Sequence, residues 1–177
     1  MIYNESNLVT DKLLDRIAVI SILKEKLNYF LKDIDFHDMK TNIQHGSTNC
    51  VLHSVAVTHF SLIVAAKLHL NVNYMDIATG ALLHDYFLYD WHDKSKCHKW
   101  HGYKHPFIAL NNATKKWNLN DVEKDIITTH MFPLTLSKMP KYKESALVCI
   151  MDKVCAIYET FARKHPYKNL KKIYNNA

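Results

Sequence analysis

Five residues in this chain have the types and the helical placement to hold a metal: His53, His84, Asp85, His130 and Asp152. Neutral imidazoles and carboxylates are the ligands of divalent transition ions such as Fe, Mn, Co, Ni or Zn. His53 precedes the apolar stripe Ala56, Val57, Phe60 and Val64 by three and four residues. His84 shares a helical face with Ile77, Ala81 and Leu88. Ile126 and Ile127 lead to His130, and Asp152 lines up with Val148, Met151 and Cys155. Four predicted helices thus each turn an imidazole or a carboxylate toward the core. An unpaired buried carboxylate costs several kcal/mol or takes up a proton. The only arginines, Arg16 and Arg163, lie on none of these faces. A divalent cation resolves the conflict, and a hydrogen-bonded polar network is the alternative. His84 and Asp85 are neighbours, so they point about 100° apart on a helix. They can share one ion only near a helix end, where the run GALLHDYFLYDWHD places them.

The elements that must position these residues are helical almost throughout. Apolar residues recurring at three- and four-residue steps predict a first helix over 10–31, through Leu13, Leu14, Ile17, Ile20, Leu23, Leu27 and Phe30. The stretch 33–49 is polar and expected to be a loop. Further helices are expected over 49–70 and over 74–88, the latter capped by Asn71 or Asn73. An irregular aromatic loop follows over 89–102. A fourth helix is opened by Pro106 in its first turn and runs to Trp117. A fifth is capped by Asn120 or Asp121 and reaches His130, and a last long one covers 143–164. The tail KHPYKNLKK is basic and expected to be a solvated end, with nucleic-acid contact the weaker alternative. The expectation is an all-α, single-domain bundle spanning 1–177, with a core over about 44–161 and a metal site between helices.

Composition supports this and excludes other classes. The chain is 48% apolar and 23% charged, which suits one domain with a real core. It holds only three glycines and four prolines, which argues against sandwiches, barrels and Gly-rich phosphate loops. The apolar runs 17–23 and 62–66 are too short to span a bilayer. The first residues, MIYNESNLVTDK, lack the pattern of a signal peptide, so a cytoplasmic protein without membrane contact is expected. Cys50, Cys97, Cys149 and Cys155 form no CxxC pair and read as free thiols. The net charge of +6 is carried by lysine. It fits either anionic substrates or a lysine-rich composition.

The order His53, His84-Asp85, Asp152 resembles the H…HD…D signature of the HD-domain superfamily of metal-dependent phosphohydrolases. His105 in HGYKHP and His130 in ITTHMFP resemble the two extra histidines of its binuclear members, such as the HD-GYP phosphodiesterases. The likeness covers about 44–161 and is closest to small bacterial HD-domain proteins. It implies a helical bundle whose bridging and catalytic aspartate is Asp85. It also implies two divalent ions, one held by His53, His84 and Asp152 and the other by His105 and His130, with an activated water attacking phosphorus. The implied activity is a phosphomonoesterase or phosphodiesterase acting on a nucleotide or related small phosphate. The HD-GYP lysine after HD is replaced by Leu88 and the GYP residues are absent, which argues against cyclic di-GMP.

Substrate contacts are expected from His45, in QHGSTN, and from a cation: Lys94 or Lys104 near the 89–102 loop, or Lys153 beside Asp152. Lys96 and Lys99 are further loop candidates, and His101 is an alternative to His105 as ligand. Asp90, His92 and Asp93 have no inward stripe behind them and are assigned supporting or substrate-loop roles. Trp91, Trp100, Tyr86, Tyr89 and Phe132 would either stack on a base or pack as an aromatic rim. Two other functions use the same residues. One is a di-iron oxygenase, and the other is a non-catalytic nucleotide-binding module with a structural metal.

Overall fold

The structure, a computed structural model, describes residues 5–93, 100–162 and 166–175. It is helical apart from one small hairpin. The elements are α1 (Glu5–Phe30), α2 (Ile34–Asp38), a 3-10 turn (Met39–Thr41), strands β1 (Ile43–His45) and β2 (Thr48–Asn49), α3 (Cys50–Lys67), α4 (Tyr74–Leu83), α5 (His101–Thr114), α6 (Asp121–Thr129), α7 (Lys143–Phe161) and α8 (Lys168–Asn175).

Asparagine and aspartate start the helices that matter. The Asn49 side chain accepts from Leu52 N at 2.8 Å to open α3, and Asn73 accepts from Met75 N and Asp76 N to open α4. Asn120 and Glu123 form a reciprocal capping box at α6. On α1 the stripe that packs is Val19, Leu23, Leu27 and Phe30. Ile17, expected on that stripe, is more than half exposed.

Helix α3 lies at the centre, against α1, α4, α7 and α8. It is long and apolar enough to cross a membrane by length and composition, but most of its residues are buried inside the bundle. Among the described residues, burial of its Val, Leu and Ala side chains is the largest apolar contribution on any one element, at about 1.5–3 kcal/mol per large side chain. Gly80 brings α4 against α6. A Cβ there would lie 2.7–2.8 Å from three side-chain atoms of Ile126. That close approach delivers the end of α6, and with it His130, to the end of α4.

Four expectations about the elements need correction. The 74–88 helix ends at Leu83, and the chain turns at His84 and Asp85. Pro106 is the sixth residue of α5, not part of its first turn, because the helix begins at His101 after Trp100 in the left-handed region (φ 68°). The stretch 33–49 holds α2, the 3-10 turn and the hairpin. Asp33 caps α2 by accepting from Phe36 N. The hairpin pairs Ile43 with Asn49 and His45 with Thr48, turning at Gly46 with φ +56°. A Cβ at Gly46 would collide with the Glu159 carbonyl, so only glycine lets the hairpin dock on α7. The basic tail forms α8, whose Leu170 and Tyr174 are buried, with Lys40 Nζ 4.6 Å from the Tyr174 ring centre.

Candidate metal centre

Five elements meet at one buried cluster. His53 comes from the first turns of α3, His84 caps the end of α4, and Asp85 follows it. His105 sits one turn into α5, His130 caps α6, and Asp152 lies midway along α7. All six are buried, and His53 and His84 are fully inaccessible.

The Asp85 carboxylate divides the cluster. Its Oδ2 lies 3.8 Å from His53 Nε2 and 3.4 Å from His84 Nε2. Its Oδ1 lies 3.3 Å from His105 Nε2 and 3.7 Å from His130 Nε2. Asp152 Oδ1 faces His53 Nε2 at 3.0 Å and His84 Nε2 at 3.5 Å. Within the cluster two groups of three residues could each hold a metal ion: His53, His84 and Asp152, and His84, Asp85 and His130.

Hydrogen bonding behind the imidazoles shows why a cation suits this site. Three rings donate from Nδ1 to a backbone carbonyl one turn back: His84 to Ala81 O at 2.7 Å, His105 to His101 O at 3.0 Å and His130 to Ile127 O at 2.8 Å. His53 donates from Nδ1 to the carboxylate of Glu159, at 2.9 Å and 3.0 Å from its two oxygens. Each neutral ring therefore turns an Nε2 lone pair into the cluster. Two of these lone pairs, on His105 and His130, face each other at 2.7 Å. His84 Nε2 and Asp85 Oδ1 are buried without a hydrogen-bond partner. Lone pairs and carboxylate oxygens aimed at one another need protons or cations between them. Backbone carbonyls and a carboxylate holding the outer nitrogens are the usual support of metal-bound histidines. The donor set fits borderline divalent ions.

Without a metal, protons must do this work. Burial disfavours the charged ring of His84, yet Asp85 and Asp152 outweigh it and raise its pKa well above the ordinary value. His130 goes the other way, down to about 3, through burial and the neighbouring His84 and His105. Burial opposes ionisation of Asp85 and Asp152 as well. The imidazoles around each override it and hold both carboxyls well below the usual range.

Two supporting residues are not marked by the expected sequence pattern. Glu159 is fully buried beneath His53. It lies four residues after Cys155, so continuing the inward stripe of α7 by one turn would have found it. Gln44 on β1 donates from Nε2 to Asp85 Oδ2 and accepts from Trp91 Nε1 at 3.2 Å and from the Cys50 thiol at 3.5 Å. No local pattern marks it, since only the hairpin fold brings it there. Trp91, expected either to stack on a base or to pack in an aromatic rim, stacks on His101 (centroids 5.0 Å apart, 8° between planes), and His101 stacks on His105 (4.6 Å, 16°).

Replacing Glu159 with alanine is expected to weaken metal binding about 10- to 100-fold, the usual loss when a ligand's outer partner is removed. Equilibrium dialysis against Mn or Zn measures this. Unchanged affinity would mean that the His53–Glu159 pair has no part in holding a metal.

A cleft of about 720 Å3 opens onto the cluster. His45 lines it, with its ring edge-on to His53 at 5.1 Å between centroids. Burial, and then the charge of His53, lower the pKa of His45. Met131, Pro133, Leu134 and Ala156 form an apolar side. Lys153 also lines the cleft, but its ammonium donates to His130 O at 2.6 Å, Cys149 O at 3.1 Å and Cys149 Sγ at 3.3 Å. It clamps α7 to the end of α6. Lys104 is on the exposed face of α5. Lys94, with Lys96, Cys97 and Lys99, lies outside the described residues. His101 is tied to the Tyr89 hydroxyl at 2.8 Å through Nδ1 and backs His105. His92 is exposed and pairs with Asp90, away from the cluster. Tyr86 belongs to the core: it is fully buried and its hydroxyl donates to Asp33. Among the described residues Cys50, Cys149 and Cys155 are free thiols.

No family model, curated protein or solved structure matches this chain.

Proposed function

We propose that the protein is a metal-dependent phosphohydrolase of the HD-domain type, acting on a small phosphate ester such as a nucleotide. The observation that carries this reading is the Asp85 carboxylate, with one oxygen toward His53 and His84 and the other toward His105 and His130. A carboxylate so placed suits two ions side by side, with His53, His84 and Asp152 around one and His105 and His130 around the other. Divalent ions supply such a site with a water of lowered pKa and with positive charge against phosphoryl oxygens.

The chain's own residues do the rest. Asp85 would be a ligand to both ions, and its orientation is held by the Gln44 amide. The backbone carbonyls of Ala81, His101 and Ile127, with Glu159, keep every Nε2 free of a proton and aimed inward. His45 stands at the cleft wall, where a ring kept neutral can accept a proton or hydrogen-bond a phosphate ester. The apolar side and Trp91 exclude bulk water around the reacting group.

The test is metal analysis of protein purified without chelator, followed by assay with Mn, Fe, Co, Ni and Zn in turn. Two ions per chain and hydrolysis of p-nitrophenyl phosphate, bis(p-nitrophenyl) phosphate or a nucleotide support the reading. No phosphate release and no diester cleavage with any metal would overturn it. A mixed-valent iron signal with substrate-dependent oxygen uptake would point to an oxygenase on the same ligands. Tight nucleotide binding without turnover would point to a binding module.

A further inference from the structure

A second cavity, of about 800 Å3, lies on the other side of α7 and shares no lining residue with the metal cleft. Helix α7 separates the two. Asp152, Lys153 and Ala156 face the cleft, while Met151, Val154 and Tyr158 face the groove. The other walls are α1, α3 and α8, through Ile20, Phe60, Val64 and Leu170. Ile17, Val154 and Tyr158 stay more than half exposed at its rim. An open apolar trough of this size on a folded surface marks a site of binding.

The charged groups of the groove have one sign. Arg16 and Lys168 line it, and no aspartate or glutamate does among the described residues. His59 also lines it, and its Nδ1 is buried without a hydrogen-bond partner. Burial, and then the Arg16 charge, lower the pKa of His59. A guanidinium, an imidazole nitrogen lacking a partner and an apolar trough together describe a receptor for a chain with an anionic end. Arginine meets a carboxylate through paired hydrogen bonds.

We propose that the groove between α1, α3, α7 and α8 binds a free long-chain carboxylate, with the head group on Arg16 and His59 and the alkyl chain along Phe60, Val64 and Val154. Lys168 adds attraction from α8. The site is independent of the metal centre.

The probe is sodium dodecanoate below its micelle concentration, titrated into the whole chain by calorimetry, with dodecanol as the uncharged control. Saturable binding of one dodecanoate per chain is expected, tightening on the order of tenfold from decanoate to dodecanoate as two methylenes are buried. Arg16→Glu should weaken dodecanoate about tenfold or more and leave dodecanol unchanged. Val64→Trp should block both, and Val154→Asp on the exposed rim serves the same end if the tryptophan variant does not fold. Absence of saturable binding overturns the proposal, as does an Arg16→Glu variant that binds normally. Loss of binding in Asp85→Ala, with normal binding in Arg16→Glu, would place the carboxylate at the metal centre and overturn it too. A dimer in solution that buries the groove and takes up no dodecanoate would assign this surface to a second copy of the chain.

Discussion

Asp85→Ala is expected to fold and to lose its metal, with affinity falling by more than about 100-fold. Removing a mere outer partner of a ligand already costs 10- to 100-fold, and Asp85 touches both halves of the cluster. Asp152→Ala should lose metal in the same way, because Asp152 stands against both His53 and His84. The folded state should survive, since each substitution also removes a buried carboxylate that is costly without its partners. The orphaned Gln44 amide in Asp85→Ala would cost about 1–3 kcal/mol. His92→Ala is the control, an exposed ring outside the cluster, and should keep a full complement of metal. Metal content by mass spectrometry, beside the thermal unfolding of each variant, checks this. Equal metal in wild type and both aspartate variants would remove the site described here.

The second large effect is the pH dependence of the metal-free protein. Burial pushes the His53 ring toward neutrality, but hydrogen bonds to Asp152 and Glu159 outweigh it and raise its pKa to about 9. The unfolded value is about 6.5. A group whose pKa is raised on folding stabilises the fold fully below its unfolded pKa, and that contribution fades as pH rises through the folded one. His84 acts in the same direction. The depressed carboxyls of Asp85 and Asp152 act oppositely, stabilising above about pH 4 and losing that contribution in acid. His130, held down to about 3, and His45, also lowered, act with the carboxyls and cost stability as pH falls below about 6.5. The metal-free protein should therefore be most stable near about pH 6.5, weakening both in acid and toward pH 9. The His53 contribution alone is roughly 3 kcal/mol, or about 6–12 °C in Tm for a chain of this size. Bound divalent ions require the neutral rings, so metal affinity should rise over the same range. Unfolding curves with and without chelator should diverge steadily from pH 6 to 9. A flat curve for the chelated protein would show that the rings and carboxylates do not share protons as described.

Several parts of this arrangement are local and so legible in the chain. Asn49, Asn73 and Asn120 start helices by bonding to backbone N–H groups two or three residues on, which needs no tertiary partner. His84 and His130 each donate to the carbonyl three residues back, so a histidine at a helix end sets its own ring orientation. The adjacency of His84 and Asp85 already demanded a helix end, and α4 stops at Leu83 to supply it. Apolar spacing located α3, α6 and α7 to within a few residues, but carried α4 on to Leu88, past its end at Leu83.

Other parts depend on contacts between distant segments, which no local pattern encodes. Gln44 sits in a polar stretch that looks like loop, and only the docking of a glycine-turned hairpin on α7 sets its amide against Asp85. The Lys153 side chain looks available in sequence, yet the end of α6 meets the middle of α7 so that two carbonyls and a sulfur take its protons. The α3 helix is apolar nearly all round, so periodicity alone does not say which face of it His53 shares with Asp152. The sequence by itself determines which residues can be donors and which helices carry them, because residue chemistry and helical period are short-range. The tertiary structure alone decides that both oxygens of one carboxylate are shared among four imidazoles, because that requires five elements packed to within a few ångströms of one another.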